Sequence, residues 1–392
     1  MILTAVSLLP VAIWAYLLFG RGWFWRCRER DDSAAASAAG HLKNELGAWP
    51  SVVAIIPARD EADMIARSVG SLLGQDYPGP FSVVVVDDQS TDGTAAVASN
   101  AASDAHAADR LKIVTGTGPP PGWTGKLSAM RQGLASAPAP EFVLFTDADI
   151  AYAPHVLSRL VTIARAKNSV LTSLMVKLRC ESTAERWLAP AFVFFFQMLY
   201  PFAWVNDPRR TTAAAAGGCM LVRREALHTA GGLEAVRGAL IDDCALGALM
   251  KGQGPIWLGL TESVDSLRAY SSFAEFRRMV ARSAFAELRY SPLRLAGAIG
   301  GMALVYLAPP LFAIFARGGA QFAGALAWAM MALSLTPILR LYKQPVFGGL
   351  ALPAIAAAYV AFTSESAYQY WRGRGGYWKG RIQAPMRGTE RA

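Results

Sequence analysis

Phe142-Val143-Leu144-Phe145-Thr146-Asp147-Ala148-Asp149 is the stretch from which the fold can be read. Four consecutive apolar residues describe a strand buried on both faces, as in a parallel sheet. Asp147 and Asp149 stand where that strand leaves the sheet. Carboxylates one residue apart at a strand end can turn toward one cation. Oxygen-only ligation suits Mg2+ or Mn2+, which would in turn hold a diphosphate. A solvated acidic turn fits the same residues, so the flanking sequence has to arbitrate.

Upstream the pattern repeats. Val52-Val53-Ala54-Ile55-Ile56 is an apolar run stopped by Pro57 and followed by Arg59, Asp60 and Glu61. Met64, Ile65, Val69, Leu72 and Leu73 then recur at helical spacing, which makes the unit strand, polar turn, helix. Val83-Val84-Val85-Val86 ends in Asp87-Asp88-Gln89-Ser90-Thr91-Asp92-Gly93-Thr94. Some of this polarity is structural: Thr91 or Asp92 can cap the next helix, and Asp60 and Glu61 can be first-turn charges on theirs. Leu111 to Val114 gives a third strand and the Phe142 run a fourth. Strands alternating with helices predict an open, mostly parallel α/β sheet. Ligands of such sheets bind at the carboxyl ends of the strands, where all three acidic clusters lie.

The composition is too apolar for a soluble domain alone. Of 392 residues, 53% are hydrophobic and 17% charged, with mean hydropathy +0.28; roughly a quarter charged is usual. Met1 to Gly20 carries no charge, and Arg21, Arg26, Arg28 and Arg30 follow. A cleaved leader has its positive charge before the apolar run. The observed order predicts an uncleaved anchor with its amino terminus outside and the arginines cytoplasmic. Leu295 to Ala316 and Phe322 to Leu339 are each near the ~20 residues that a crossing needs. Val346 to Ser364, interrupted by Pro353, is a third candidate, and here two rules conflict. Three full crossings would export the basic tail (Arg372, Arg374, Lys379, Arg381, Arg387, Arg391), whereas a re-entrant or interfacial segment would keep it inside.

The expected organisation is an anchor at 1–20, a basic, alanine-rich linker at 21–50, and a catalytic α/β domain at 51–291. Two or three membrane helices within 295–364 and a basic tail at 365–392 complete it. The expected location is a bacterial inner membrane, with the catalytic domain cytoplasmic.

The net charge of +9 comes from residues flanking the apolar blocks, where each is worth about 1 kcal/mol against anionic lipid. A membrane surface, not nucleic acid, is the expected partner. Cys27, Cys180, Cys219 and Cys244 show no Cys-x-x-Cys spacing, which argues against zinc and a disulfide framework. Gly118 to Lys126 mimics a phosphate loop, but Pro120 replaces its first glycine and Leu127 its Ser or Thr. Prolines also follow Gly116-Thr117-Gly118, so neither a P-loop ATPase nor a nicotinamide enzyme is supported.

Ile56-Pro57-Ala58-Arg59-Asp60-Glu61, Val86 to Thr94 and Thr146 to Asp149, with Gly217-Gly218-Cys219-Met220-Leu221-Val222-Arg223-Arg224, Gly231-Gly232-Leu233 and Ile241-Asp242-Asp243, together resemble the family 2 glycosyltransferases of GT-A fold. The resemblance covers roughly Ser51 to Ser291. Gly122-Trp123-Thr124-Gly125-Lys126, Leu240 to Cys244 and Trp371 to Gly380 are most similar to the hopene-associated, hopanoid-biosynthesis membrane enzymes of that family. By resemblance, Pro57, Arg59, Glu61, Asp87 and Asp88 would hold the nucleoside of a nucleotide sugar. Lys126 would lie near the nucleotide or its phosphates, unless it is a plain surface lysine. Asp147 and Asp149 would bracket sugar and metal, Asp147 touching both. Asp243 matches the general base of inverting members, with Asp242 beside it; the pair can equally start a helix, since Ala245, Leu246 and Leu249 follow.

One departure is plain. The Gln-x-x-Arg-Trp element of polymer- and glycolipid-forming members is reduced to Arg282, which can contact the diphosphate or join a cationic face with Arg277, Arg278 and Arg289. Leu188 to Asn206 is uncharged and aromatic; a crossing there would part Asp243 from Asp147, so it is a core helix or an interfacial one that opens an acceptor site to lipid. The expected activity is transfer of a sugar, from a UDP-sugar in the first instance, to a hopanoid or related lipid alcohol. Transfer to polyprenyl phosphate, a carotenoid or another glycolipid is the rival, and a catalytically silent membrane scaffold the alternative from another class.

Overall fold

The structure is a computed structural model that describes residues 2–42, 48–378 and 381–382. It divides into two units. One comprises Glu29–Arg179 and Trp204–Ala269; the other takes the described residues of Met1–Arg28, Cys180–Ala203 and Tyr270–Ala392.

The first unit is built on eight strands: β1 (Val52–Ala58), β2 (Phe81–Asp87), β3 (Leu111–Thr115), β4 (Phe142–Phe145), β5 (Ile150–Tyr152), β6 (Leu171–Lys177), β7 (Met220–Arg223) and β8 (Ile256–Ser266). Their order across the sheet is β3-β2-β1-β4-β7-β6-β8-β5. The four strands expected from the apolar runs are all present, and β3-β2-β1-β4 pair in parallel. Beyond β4 the sheet is mixed: β7 is antiparallel to β4 and β6, β8 parallel to β6, and β5 antiparallel to β8. β1 is buried throughout and runs through Pro57, past the stop expected there. Pro57 lies one residue from the strand's end, where its missing N–H disturbs little of the ladder. The alanine-rich stretch read as a linker is helical over Asp31–Leu42. Asp31, 1% exposed, anchors it by accepting from Arg159 Nη1 at 2.8 Å. Residues 43–47 of that stretch lie outside the described residues.

The second unit is helical. Leu3–Gly20, Pro292–Phe315, Gly318–Leu341 and Val346–Trp371 are each long and apolar enough to cross a membrane. The aromatic stretch forms the helix Thr183–Leu199 of this unit, started by a reciprocal Ser182–Glu185 capping box, and a separate short helix Phe202–Asn206 within which the boundary to the sheet unit falls. Leu188, Ala189, Val193 and Phe194 are buried, and Phe194 and Phe195 pack on Phe24, Tyr306 and Tyr359, so it is a packed helix of this unit.

Pro292–Phe315 and Gly318–Leu341 form an antiparallel hairpin, with Gly324 against Pro309 and Ala313. The following 3-10 turn, Val346–Ala351, climbs back along the second arm. Gly348 meets Leu339, Gly349 lies on the Ala332 backbone, and Leu350 O accepts from Trp328 Nε1 at 3.0 Å. Helix Leu352–Trp371 then descends beside the first arm's start: Ser366 Oγ accepts from Phe285 N, Ala367 packs with Phe285 and Leu295, and Tyr370 stacks on Tyr290. Both ends of 346–371 therefore lie at one end of the hairpin. Of the basic tail, Lys379, Arg387 and Arg391 lie outside the described residues.

Candidate active site

The carboxyl ends of β1 and β2 are laced together by their own turns. Asp60 and Gln89 both take left-handed backbone (φ 50° and 62°), uncommon for residues with a side chain. Asp60 N donates to Ser90 Oγ at 3.0 Å, and Asp60 Oδ1 accepts from Thr91 N at 2.8 Å. Glu61 N donates to Thr94 Oγ1 at 2.9 Å. Asp92 accepts from Ala62 N and Thr94 N, at the first turns of two helices, so its role is structural. Asp87 Oδ1 closes the second turn on Ser90 N at 3.0 Å. A Cβ on Gly116 would stand 3.0 Å from Asp87 O and 3.1 Å from Asp88 Cα; glycine there lets the end of β3 approach the acidic turn. Arg59 Nη1 donates to Asp88 O at 2.7 Å, and the buried Asp88 carboxylate is 4.0 Å from the same nitrogen. Pro57, Arg59, Asp87 and Asp88 thus lie together at the carboxyl ends of β1 and β2.

Beside these turns lies an ion cluster. Lys126 Nζ sits 2.8 Å from Asp147 Oδ1 and 3.0 Å from Asp242 Oδ2. It is no surface lysine. Burial acts to lower its pKa, but Asp147 and Asp242 outweigh that and hold the ammonium well above its ordinary value. Asp243 accepts from Gly217 N at 2.9 Å and from Cys244 N at 2.8 Å. Any Cβ on Gly217 would lie 3.2 Å from Lys126 Nζ and 3.3 Å from Asp243 Oδ2, so the approach of that carboxylate depends on glycine. Asp242–Lys251 is a helix that begins at the acidic pair, as the helix-start reading has it. Burial, then the neighbouring Asp242, push the Asp243 carboxyl up to about 6, against the contrary pull of Lys126 and the two backbone N–H groups. The same causes, burial first and Asp149 second among those that raise it, push Asp147 above the usual carboxylate range despite Lys126. Thr146 and Tyr152 fix the floor: Tyr152 OH donates to Thr146 Oγ1 at 2.8 Å, and Thr146 Oγ1 to Gly218 O at 2.8 Å.

Arg268, just past β8, went unnoticed in the sequence. Its Nε donates to Asp149 Oδ2 at 2.6 Å and its Nη2 to both oxygens of Glu61 at 2.8 and 2.9 Å. Glu61, read as a nucleoside contact, is 7% exposed and turned to this arginine. The signal was weak because β8 mixes Gly, Thr, Glu, Ser and Asp into its apolar run, and its end was not recognised as a strand end. Arg282 follows the helix Phe273–Ala281 and belongs to the helical unit.

Asp147 and Asp149 offer two carboxylates at one strand end, each already facing a cation, Lys126 or Arg268. Among the described residues no set of three or more His, Cys, Asp or Glu side chains converges as a metal cage. The carboxylate oxygens of Asp147 and Asp149 suit the hard cations Mg2+ or Mn2+, with diphosphate and water to complete the shell.

Residues 53–231 match the model of glycosyl transferase family 2. That stretch is similar to a family 2 glycosyltransferase domain. Its GT-A-like sheet is shared with a mannosyltransferase of Pyrobaculum calidifontis solved with GDP-Man and Mn2+, at 21% identity and TM-score 0.51, over 94% of this chain and 98% of that one. An N-acetylglucosaminyltransferase of Mesorhizobium japonicum is 30% identical over 46% of this chain and 41% of its own length. Another from Azorhizobium caulinodans is 25% identical over 50% and 47%. The chain spans under half the length of these two relatives. Asp242, Asp243 and Arg268 lie beyond the matched range, yet Lys126 and Asp149 within it pair directly with Asp242 and Arg268.

Proposed function

We propose that this chain is a membrane-embedded, inverting glycosyltransferase that moves a sugar from a nucleotide-sugar donor to a lipid acceptor. The observation that carries the reading is the cluster Lys126–Asp147–Asp242–Asp243 at the strand ends, beside the turn that holds Asp88. The bond from the anomeric carbon to the diphosphate breaks, the acceptor oxygen attacks from the opposite face, and the acceptor proton passes to Asp243. A carboxyl near 6 is ionised at neutral pH yet more basic than an ordinary aspartate, which suits a general base. Lys126 faces the charge that grows on the leaving diphosphate, and Asp88 with Arg59 lines the nucleoside end. When bound, a divalent ion at Asp147 and Asp149 would offset that charge without proton transfer. Asp242 keeps Lys126 in place, and Arg268 orients Asp149.

Four apolar segments on the same chain support a lipid acceptor. The resemblance of the Gly122–Lys126, Leu240–Cys244 and Trp371–Gly380 motifs supports a hopanoid or related polyprenyl-derived alcohol. The relatives' name puts an N-acetylglucosamine donor on the test panel beside other UDP-sugars and GDP-mannose. The decisive experiment pairs transfer assays on purified full-length protein with lipid profiling of a deletion strain complemented by Asp243→Asn. We expect kcat to fall about 10²–10⁴-fold with donor KM little changed, and the missing lipid to stay missing. Restoration of the lipid by Asp243→Asn refutes the catalytic assignment. Metal-dependent donor binding by wild type without turnover on any acceptor points to the scaffold instead.

A further inference from the structure

The helical unit contains a cavity of about 300 Å3, at the small end of ligand pockets (~300–1,000 Å3). Ile13 and Leu17 of the first helix, Met198 at the end of Thr183–Leu199, and Met302 and Val305 form its walls, with Arg21 its one charged lining residue. Two π-helical turns face it, Tyr16–Gly20 and Ala303–Leu307. Such turns are rare and gather at functional sites. Each is secured by an indole: Trp14 Nε1 donates to Val305 O at 2.9 Å, and Trp25 Nε1 to Leu18 O at 2.9 Å. Tyr306 packs edge-on against Trp14 and points its hydroxyl at Met198 Sδ, 3.1 Å away. These bonds tie the backbone and side chains of its walls to their neighbours. Arg21 is fixed at the rim by donating to Met198 O and Leu199 O at 2.6 and 3.2 Å. The mouth is open sideways, because Tyr16 and Leu199, both lining residues, are 53% and 47% exposed. Beside Met302, a Cβ on Gly301 would meet nothing within 4 Å.

We infer that this cavity seats one hydrocarbon chain of a bilayer lipid, entering between the first helix and Pro292–Phe315, with its head group at the Arg21 end. The surrounding medium selects the occupant: two of the helices that line it are apolar enough to cross a membrane, and a groove there meets acyl chains before any soluble ligand. One cation at the rim complements an anionic head group. The inference rests on the membrane part of the proposed function and is independent of sugar transfer.

The test uses the full chain in nanodiscs containing phosphatidylglycerol with a diazirine on one acyl chain, with no donor present. Irradiation should concentrate label on peptides holding Met198 and Met302. Gly301→Phe, which plugs the cavity, should cut that label at least fivefold, and Ala298→Leu serves if that variant fails to fold. Gly297→Phe, on the same helix, in open space and off the cavity lining, should leave it unchanged. Label spread evenly over the four apolar segments, or unaffected by the plug, overturns the inference. Release of the protein from membranes by alkaline carbonate would instead sink the membrane reading.

Discussion

Asp243 is a carboxylate that two backbone N–H groups favour as an anion and that its burial and Asp242 disfavour. If it is the base, kcat should climb with pH through about 6 and stand about tenfold below its plateau at pH 5. A base with an ordinary value would give a flat profile there. The same shift acts on stability with a definite sign. The folded state holds this proton more tightly than the unfolded chain, so the stability it lends is full below about pH 3.9 and is lost as pH rises through about 6. Asp243→Asn should flatten that part of the pH–stability curve. Arg268 invites a different measurement. Arg268→Ala strands Glu61 and Asp149, and thermal unfolding should register a loss of about 2–4 kcal/mol. Arg268→Lys, able to serve one carboxylate but not both, should recover part of it. An unchanged midpoint in Arg268→Ala would mean that the bridge does not bear on stability.

At the scale of elements, what the sequence disclosed follows from how each strand is buried. β1, β2 and β4 are covered on both faces, so their runs are unbroken and their ends could be read directly, acidic clusters included. β6 and β8 insert Thr, Ser and Gly into the apolar pattern, and β5 is three residues long, so the mixed half of the sheet stayed hidden, and Arg268 with it. Pairing of Lys126 with both Asp147 and Asp242 was equally out of reach, because it depends on β7 bringing Gly217 beside β4. That contact predicts a mutation. The methyl of Gly217→Ala intrudes between Lys126 Nζ and Asp243 Oδ2, and kcat should drop about tenfold with a stability change within about 1 kcal/mol. Full activity in this variant would mean that the spacing of the pair is not used in turnover.

For the whole molecule, chelation and topology are the informative experiments. Removing divalent ions should abolish transfer reversibly, with Mn2+ or Mg2+ restoring it, if Asp147 and Asp149 serve as proposed. The conflict between three crossings and the basic tail has a physical resolution in the path of 346–371, which rises along Trp328–Leu339 and returns to Phe285 and Leu295. A reporter fused after Arg374 should therefore report the same side as one placed after Arg30, and opposite sides would show that the segment crosses. An indole bond to Leu350 O at the turn is what such a path needs where water is scarce.

The order in which the chain visits its two units bears on how it is made. The sheet unit is entered at Glu29, left at Cys180, re-entered at Trp204 and left for good at Tyr270. β5 must wait for β8, its sheet partner, until the ribosome has passed Ser266. A gene fragment that stops before the second apolar block but omits Cys180–Ala203 splices a break into the sheet unit, and a protease cutting once cannot free either unit intact. Soluble expression of the sheet unit thus calls for a redesigned junction between Arg179 and Trp204, not a simple truncation.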